Sequence, residues 1–278
     1  MEVGRRIKAN GLSFHVVVEG GGPAVLLLHG FPDSSYLWRY QIPALADAGL
    51  RVIVPDLRGF GESDKPHAVE AYRLEAILGD VTGILDALAV ERAHVVGHDW
   101  GAAVAWVMAS LLPQRVERLV ALSAGHPAQF RALGIRQQEM SWYMLLFQFA
   151  GVAEEALARD DWRLARELFR GDGDLDRYVA DLSRPGALTA ALNWYRANVP
   201  PQILFGADPP LLPPVGCPTM GVWSSGDHYL TEELMSGSGA HVQGVWRYER
   251  IEGASHWIPI DAPDHLNRLL LEFLTDQP

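Results

Sequence analysis

The chain has 278 residues with a formal net charge of −11 at pH 7, and 49% of its residues are apolar. This length is enough to bury one large core, with or without an inserted lid. The acidic balance argues against nucleic acid and against an anionic membrane surface as partners. A single cysteine, Cys217, excludes an internal disulfide and is typical of the reducing cytoplasm.

The sequence also lacks the signals that would send it elsewhere. Its first ten residues have no apolar core of the length that a signal peptide needs. No window approaches the ~20 apolar residues of a membrane span. We therefore expect a cytoplasmic protein that contacts no membrane. The sequence leaves open whether it forms a homodimer.

Short apolar runs bounded by turn residues predict strands along the chain. These runs lie at 12–18, 24–28, 52–55, 93–96, 118–122, 219–223 and 245–251. Segments with helical apolar content alternate with them, at 38–48, 71–88, 102–112 and 263–274. This alternation predicts an α/β fold with a mostly parallel, doubly wound sheet. In such sheets ligands bind beyond the carboxyl ends of the strands.

A helical, aromatic-rich segment at 126–214 interrupts the alternation. We interpret it as a helical cap, or lid, inserted into a core domain formed by 1–125 and 215–278. The cap ends in a proline-rich run at 209–214, which predicts a stiff return to the core. Its aromatic content favours an apolar, aryl-bearing substrate, although the same residues would also serve as the core of the cap.

The run Gly97-His-Asp99-Trp-Gly101 has the spacing of a nucleophile elbow, a sharp turn between a strand and a helix. Asp99 stands where serine stands in G-x-S-x-G. A serine attacks acyl carbon, whereas a carboxylate can displace a leaving group at saturated carbon and become an alkyl ester. The pattern therefore predicts Asp99 as the nucleophile and argues against esterases and peptidases.

An alkyl ester on Asp99 must then be hydrolysed, which requires a base and an acid that orients it. In folds with this elbow the chain order is nucleophile, acid, histidine. His256 follows the last predicted strand and is the best candidate for the base. Asp227 follows the preceding strand and is assigned as the acid largely by elimination, because the loop after the strand at 118–122 has no carboxylate.

The loop His29-Gly-Phe31-Pro follows the strand at 24–28. A loop at this place supplies one backbone N–H of an oxyanion hole, and the residue after the nucleophile supplies the other. The predicted donors are the N–H groups of Phe31 and Trp100. On its own the loop motif is weak, but together with an elbow and a triad it is specific.

Together these motifs resemble the α/β-hydrolase superfamily and, within it, the soluble epoxide hydrolases. Two further motifs carry the resemblance, Trp38-Arg-Tyr-Gln-Ile-Pro43 and Asp56-Leu-Arg-Gly-Phe-Gly-Glu-Ser63. It extends over nearly the whole chain and implies an α/β-hydrolase fold with an inserted helical cap. It also implies a reaction without cofactor or metal, in which water converts a small apolar epoxide to a vicinal diol.

In that family two cap tyrosines hydrogen-bond the epoxide oxygen, and local matches of sequence assign this role to Tyr143 and Tyr195. Opening an epoxide releases an alkoxide, and a phenol with a pKa near ~10 is protonated at neutral pH and can donate to it. Both tyrosines would alternatively be packing residues of the cap. We also expect Trp38, Trp142 and Trp194 to contact the substrate.

Two alternatives stay open from the sequence. Haloalkane and haloacetate dehalogenases share the aspartate nucleophile, and a halide needs only N–H donors, which Trp142 or Trp194 would supply. Many haloalkane enzymes carry asparagine where this chain has Phe31, and fluoroacetate dehalogenases carry arginine where it has Trp100. The second alternative is a non-catalytic, ligand-binding α/β-hydrolase fold, which the intact set of predicted catalytic residues disfavours.

Overall fold

The computed structural model describes residues 4–131, 134–169, 173–205 and 211–275. The strands in this part of the chain are β1 (Arg5–Ala9), β2 (Leu12–Glu19), β3 (Ala24–Leu28), β4 (Arg51–Pro55), β5 (Ala93–His98), β6 (Val116–Leu122), β7 (Thr219–Ser224) and β8 (Trp246–Ile251). The helices are α1 (Gln41–Asp47), α2 (Leu74–Ala87), α3 (Trp100–Leu111), α4 (Ile135–Met140), α5 (Trp142–Phe147), α6 (Val152–Phe169), α7 (Leu175–Leu182), α8 (Ala187–Asn198), α9 (Pro201–Phe205), α10 (Glu232–Ser236), α11 (Ile258–Asp261) and α12 (Pro263–Thr275).

The strands form one sheet in the order β1-β2-β4-β3-β5-β6-β7-β8. Pairing is antiparallel from β1 through β2 to β4 and parallel from β4 to β8. The mostly parallel α/β sheet that the sequence predicts is therefore confirmed. Its parallel strands place their carboxyl ends along one edge, where the predicted nucleophile, acid, base and oxyanion loop all lie.

The middle of the sheet is the core of the molecule. Every residue of β5 is buried, and β3 is buried beyond its first residue. Strands covered by helices on both faces read as continuous apolar runs, which is why these two were visible in the sequence. A strand held on both sides is also a rigid support for residues at its end.

The strand β1 is absent from the sequence prediction. Three of its five residues are Arg5, Arg6 and Lys8, while Ile7 and Ala9 face the core. The strand is formed through backbone hydrogen bonds to β2, which follows it across a tight turn. Its amino-acid composition gives no sign of this pairing. A charged edge strand of this kind protects the sheet from pairing with another chain, and it leaves little apolar signal.

Three of the four predicted helices differ from the observed ones at their beginnings, the smallest difference being in α3, which begins at Trp100 instead of residue 102. The segment predicted as one helix at 38–48 consists of a 3₁₀ turn at Ser35–Trp38 followed by α1. Helix α2 begins at Leu74 instead of residue 71, and the Leu74 N–H donates to the Asn198 side-chain oxygen at 3.0 Å. Because Asn198 is the last residue of α8, this helix end is capped by a side chain distant in sequence.

Helices α4 to α9 lie between β6 and β7 and form a helical insert. Helix α6 is broken at residues 159–162, where three consecutive residues have positive φ. Residues 209–210 of the predicted proline-rich run lie outside the described residues. In the part of the chain that the structure describes, no helix has the length and apolar character needed to cross a membrane.

Candidate active site

Asp99 stands at the turn between β5 and α3, with φ of 52° and ψ of −119°. A non-glycine residue in this region carries about 1–3 kcal/mol of backbone strain, which the surrounding structure must hold in place. The turn is tight enough that a Cβ on Gly101 would overlap the carbonyl oxygen of Leu28. The glycine is therefore required by the close approach of α3 to β3, and the turn presents the Asp99 carboxylate at the sheet edge.

Backbone N–H groups from two elements hold the Asp99 carboxylate. The Phe31 N–H donates to Asp99 Oδ1 at 2.8 Å, and the Trp100 N–H also hydrogen-bonds the carboxylate. A Cβ on Gly30 would overlap Asp99 Oδ1, so the glycine lets the loop approach this closely. These are the two N–H groups that the sequence predicts for the oxyanion hole, and the structure brings both to Asp99.

His256 lies between Asp227 and Asp99, as the predicted roles of acid, base and nucleophile require. Asp227 Oδ2 is 2.7 Å from His256 Nδ1, and His256 Nε2 is 3.6 Å from Asp99 Oδ2. The other Asp227 oxygen accepts the N–H groups of Tyr229 at 2.8 Å and Leu230 at 3.0 Å. Asp227 is thus oriented by backbone donors, and it orients the imidazole in turn.

The backbone of His256 is held by the ends of two neighbouring strands. Its carbonyl oxygen accepts from the Ser123 hydroxyl at 2.8 Å and lies 2.9 Å from His98 Nε2. Burial lowers the pKa of His98 to about 3, so its ring is neutral and donates to this carbonyl from Nε2. The elbow residue His98 therefore positions the loop of His256, a role that the sequence does not indicate.

The charges of the three residues support one another. Burial opposes ionisation of Asp99, but the hydrogen bond and charge of His256 outweigh it and lower the pKa of the carboxyl. Burial likewise opposes protonation of His256, but the charge of Asp227, its hydrogen bond and the neighbouring Asp99 raise the pKa of the imidazole to about 10. At neutral pH Asp99 is an anion and His256 a cation, which is the state a carboxylate nucleophile requires.

Tyr143 on α5 and Tyr195 on α8 face this group from the insert. Both side chains are buried, and their ring centroids are 6.1 Å apart. Burial, and then the charge of Asp99, raise the pKa of each phenol well above its ordinary value. Both therefore stay protonated over the whole physiological range and are hydrogen-bond donors opposite the carboxylate.

Two cavities meet at Asp99. The larger, of about 370 Å³, extends from Asp99 and Tyr195 between α3 and the insert. The smaller, of about 20 Å³, is lined by Phe31, Asp99, Tyr143, Leu168, Phe169, Tyr195, Tyr229, His256 and Trp257. Asp99 and Tyr195 line both, so the predicted nucleophile and one predicted donor stand where the cavities join.

The three tryptophans expected to contact the substrate do not line either cavity. Trp38 is buried in the core, and Trp142 points outward with 52% of its surface exposed. The Trp194 Nε1–H donates to the Arg58 carbonyl oxygen at 2.9 Å. In this structure the three rings are directed into the protein or into solvent, and substrate contact through these residues stays a prediction. The Trp194 N–H is thus already bonded within the protein and is not free to hold a halide.

Asp33 was missed by the sequence analysis. It follows the oxyanion loop, is buried, and accepts the Trp257 Nε1–H at 2.8 Å. Burial is the main cause that raises the pKa of Asp33 to about 8. A carboxyl group directly after the oxyanion motif was the available signal. Because Trp257 follows His256 in the chain, Asp33 joins the oxyanion loop to the histidine loop.

Two motifs of the sequence resemblance are joined by one histidine. His29, in the oxyanion loop, accepts the N–H of Leu57 at its Nε2 atom, at 2.9 Å. Leu57 lies in the motif at 56–63, which follows β4. In that motif Asp56 accepts the N–H groups of Ser35 at 2.7 Å and Glu62 at 2.8 Å. These contacts support the oxyanion loop from behind. Among the described residues, no group of three His, Cys, Asp or Glu side chains is arranged to hold a metal ion.

The chain is similar to known proteins over nearly its whole length. Residues 23–263 match the family model described as alpha/beta hydrolase fold. The chain is 35% identical over 316 residues to epoxide hydrolase A of Mycobacterium tuberculosis, covering 98% of this chain and 97% of the relative. It is 33% identical over 290 residues to human epoxide hydrolase 4, covering 98% and 78%. A solved structure from a study of novel epoxide hydrolases in metagenomes from hot environments superposes with a TM-score of 0.88 at 32% identity, covering 98% of both chains.

Proposed function

The chain belongs to the epoxide hydrolase family of the α/β hydrolases and acts on the ether bond of an epoxide, and we propose that it does so through an ester formed on Asp99. The observation that carries the proposal is the pair of phenols, Tyr143 and Tyr195, which face the ionised carboxylate of Asp99 where the two cavities join. This arrangement provides a nucleophile on one side of a substrate and proton donors on the other.

The first step is opening of the ring. A carboxylate oxygen of Asp99 attacks one epoxide carbon, and the bond from that carbon to the ring oxygen breaks. The oxygen takes a proton from Tyr143 or Tyr195 as its negative charge develops, which removes the need to release a free alkoxide. The product is a β-hydroxyalkyl ester of Asp99.

Formation of the ester changes the protonation of His256. The pKa of this imidazole is raised in part by the negative charge of Asp99. The ester is neutral, so that contribution disappears and His256 releases its proton more readily, which restores the tyrosine. The same residue is thereby a cation that stabilises the nucleophile before alkylation and a neutral base after it.

The second step is hydrolysis of the ester. His256 takes a proton from a water molecule, whose oxygen adds to the carboxyl carbon of Asp99, and Asp227 stabilises the imidazolium. The Phe31 and Trp100 N–H groups, which touch the carboxylate already, stabilise the tetrahedral oxyanion by about 3 kcal/mol per donor. Collapse breaks the bond to the substrate oxygen, which takes the proton from His256, and the diol leaves. Asp99 emerges as a carboxylic acid whose proton passes to His256, which restores the anion and the cation of the resting site.

The test is the intact mass of the His256→Ala variant after incubation with styrene oxide and, separately, with a bromoalkane. We expect an adduct from the epoxide that maps to Asp99, because ring opening proceeds while hydrolysis is blocked. The matched control is the double variant that also carries Asp99→Ala, which should form no adduct. An adduct from the bromoalkane alone, with release of bromide, would make the chain a dehalogenase.

A single turnover of the unmodified enzyme in heavy-oxygen water tests the same step without a variant. Because water attacks the Asp99 carbonyl, the label should enter Asp99 while the first diol carries none. Label in the diol alone would show direct attack of water on the epoxide and would overturn the ester mechanism.

A further inference from the structure

The two cavities that meet at Asp99 differ in size by more than tenfold, about 370 Å³ against about 20 Å³. An epoxide held with its oxygen toward the phenols has a carbon on each side, and its substituents must extend into these cavities. If the proposed function holds, the difference in cavity volume limits the size of the substituent that each epoxide carbon can carry.

The small cavity has room for one water molecule and little else. A water needs about 10–15 Å³ by this kind of measure. The walls are large, packed side chains: Phe31 and Phe169 lie 5.9 Å apart between centroids, and Phe169 and Trp257 lie 6.2 Å apart. The Tyr229 hydroxyl donates to the Leu168 carbonyl oxygen at 2.8 Å and so is tied to the wall. His256 also lines this cavity, which suits it to the water of the second step.

The large cavity follows one face of α3. Asp99, Ala103, Val107 and Leu111 are spaced four residues apart, so they lie along one side of this helix, and all of them line the cavity. At 1.5 Å per residue, the distance from Asp99 to Leu111 is about 18 Å. The cavity is thus a channel along the helix, and exposed Leu111 lies where it reaches solvent.

The walls of the channel are mainly aliphatic. Opposite α3 they include Leu74, Leu78, Met144, Val199, Ile203, Leu212, Leu230 and Leu234. Asn198 also lines the channel, but its side-chain amide is already hydrogen-bonded within the protein. The amide oxygen accepts the Leu74 N–H, and the amide nitrogen donates to the carbonyl oxygens of Tyr72 and Trp194. Apart from Asp99, the charged residue among the described lining is Glu75, which is exposed. The lining described holds no cation that would pair with an acidic substrate.

We infer that the preferred substrates are terminal epoxides that carry one long, neutral alkyl chain. The chain lies in the channel along α3, and the unsubstituted CH₂ of the ring faces the small cavity. A chain of single bonds advances about 1.2 Å per atom when extended, so the channel accommodates on the order of ten to fifteen carbon atoms. Of the aromatic residues of the insert, Tyr143 and Phe169 line the small cavity, Phe130 lines the channel, and Tyr195 lines both.

The first measurement is kcat/KM for terminal 1,2-epoxyalkanes from four to sixteen carbons, with the 2,3-epoxyalkanes and styrene oxide beside them. We expect kcat/KM to rise about fourfold per added carbon, the equivalent of ~0.8 kcal/mol per buried CH₂, and to level off between ten and fifteen carbons. A 2,3-epoxyalkane of equal length should react at least tenfold more slowly, because its methyl group must enter the small cavity.

The second measurement uses Val107→Phe, which places a ring in the channel about 12 Å from Asp99 by the helix rise. The ratio of kcat/KM for the twelve-carbon to that for the four-carbon epoxide should fall at least tenfold. The control is the same change at Val245, which is 68% exposed and does not line the cavity, and it should leave the ratio as it was. If Val107→Phe does not fold, the series with the unmodified enzyme decides alone.

Turnover of epoxides with no dependence on chain length, or with a preference for 2,3-epoxides or styrene oxide, would overturn this inference and leave the proposed function intact. Absence of diol from every epoxide, with no label in Asp99, would instead remove the proposed function itself. The two failures are therefore distinguishable.

Discussion

The two sides of the site are held in different ways. On the core side Asp99, His256 and Asp227 are fixed by backbone hydrogen bonds at the ends of strands. On the insert side Tyr195 is placed by ring packing, with Phe147 at 4.9 Å and Trp100 at 5.1 Å between centroids. In the proposed mechanism the charged groups of the core side react directly, and the phenols of the insert side assist by donating a proton. Substitutions on the core side should therefore abolish turnover, and substitutions on the insert side should reduce the rate of ring opening in steps.

The largest effect is expected on the core side, for Asp99→Ala. Turnover should fall to background, because no ester can form: among the described lining residues the other carboxylate is Glu75, which is exposed and lines only the large cavity. Diol release from a terminal epoxide measures it, and Asp47→Ala, at an exposed position in α1, is the control. Residual turnover above a thousandth of the normal rate would mean that another group activates water directly.

The insert side should respond in steps. Tyr143→Phe or Tyr195→Phe alone should slow ring opening by roughly 10- to 100-fold, because the other phenol still donates, and the double variant should reach the ~10²–10⁴ of a lost general acid. Adduct formation in a His256→Ala background isolates this step from hydrolysis. If all three variants were alkylated as fast as the His256→Ala parent, both tyrosines would be packing residues only. The proposed difference between the two sides of the site would then be wrong.

The charge balance of the core side should also be visible in stability. The unfolded His256 loses its proton near pH 6.5, whereas the folded one keeps it up to about pH 10. Between these values the folded state binds more protons, so the free energy of unfolding falls as pH rises, by up to ~1.4 kcal/mol per pH unit. Urea unfolding from pH 6.5 to 10 measures the slope.

His256→Gln should flatten that slope between pH 8 and 10. Asp33 contributes in the same direction at lower pH, because the pKa of this buried carboxyl is raised to about 8 and its protonated form is favoured in the folded state. The half-buried Cys217 thiol, whose pKa burial raises, adds to the slope in the same direction above pH 9, so the contribution of His256 is the difference in slope between the unmodified enzyme and His256→Gln. An unchanged slope between pH 8 and 10 would mean that the imidazole is neutral in the resting enzyme.

The contrast between the two sides also explains what could be read from the sequence. Asp99, Phe31 and Trp100 sit in short motifs whose glycines and spacing specify one local backbone, so their position follows from a few adjacent residues. His256 and Asp227 follow apolar strands, which locate them at the same edge. Local sequence was sufficient for these five.

The parts that could not be predicted depend on contacts distant in sequence. The Leu74 N–H that begins α2 is capped by Asn198, more than a hundred residues away. The direction of the Trp194 ring is fixed by the Arg58 carbonyl, which lies far away in sequence and accepts its N–H. The tyrosines were found from a resemblance, because nothing in the helical pattern of the insert separates Tyr143 from a packing residue.

The smallest effect is expected for Trp142→Ala, at a residue that sequence alone associates with the substrate. Its ring is 52% exposed and lines neither cavity, although it precedes Tyr143 in α5. An exposed side chain without specific partners contributes within about 0.5 kcal/mol to stability, and alanine suits a helix. We expect kcat/KM for a terminal epoxide to change less than twofold. A tenfold rise in KM would instead place Trp142 on the path of the substrate, and the insert would then contribute binding as well as proton donation.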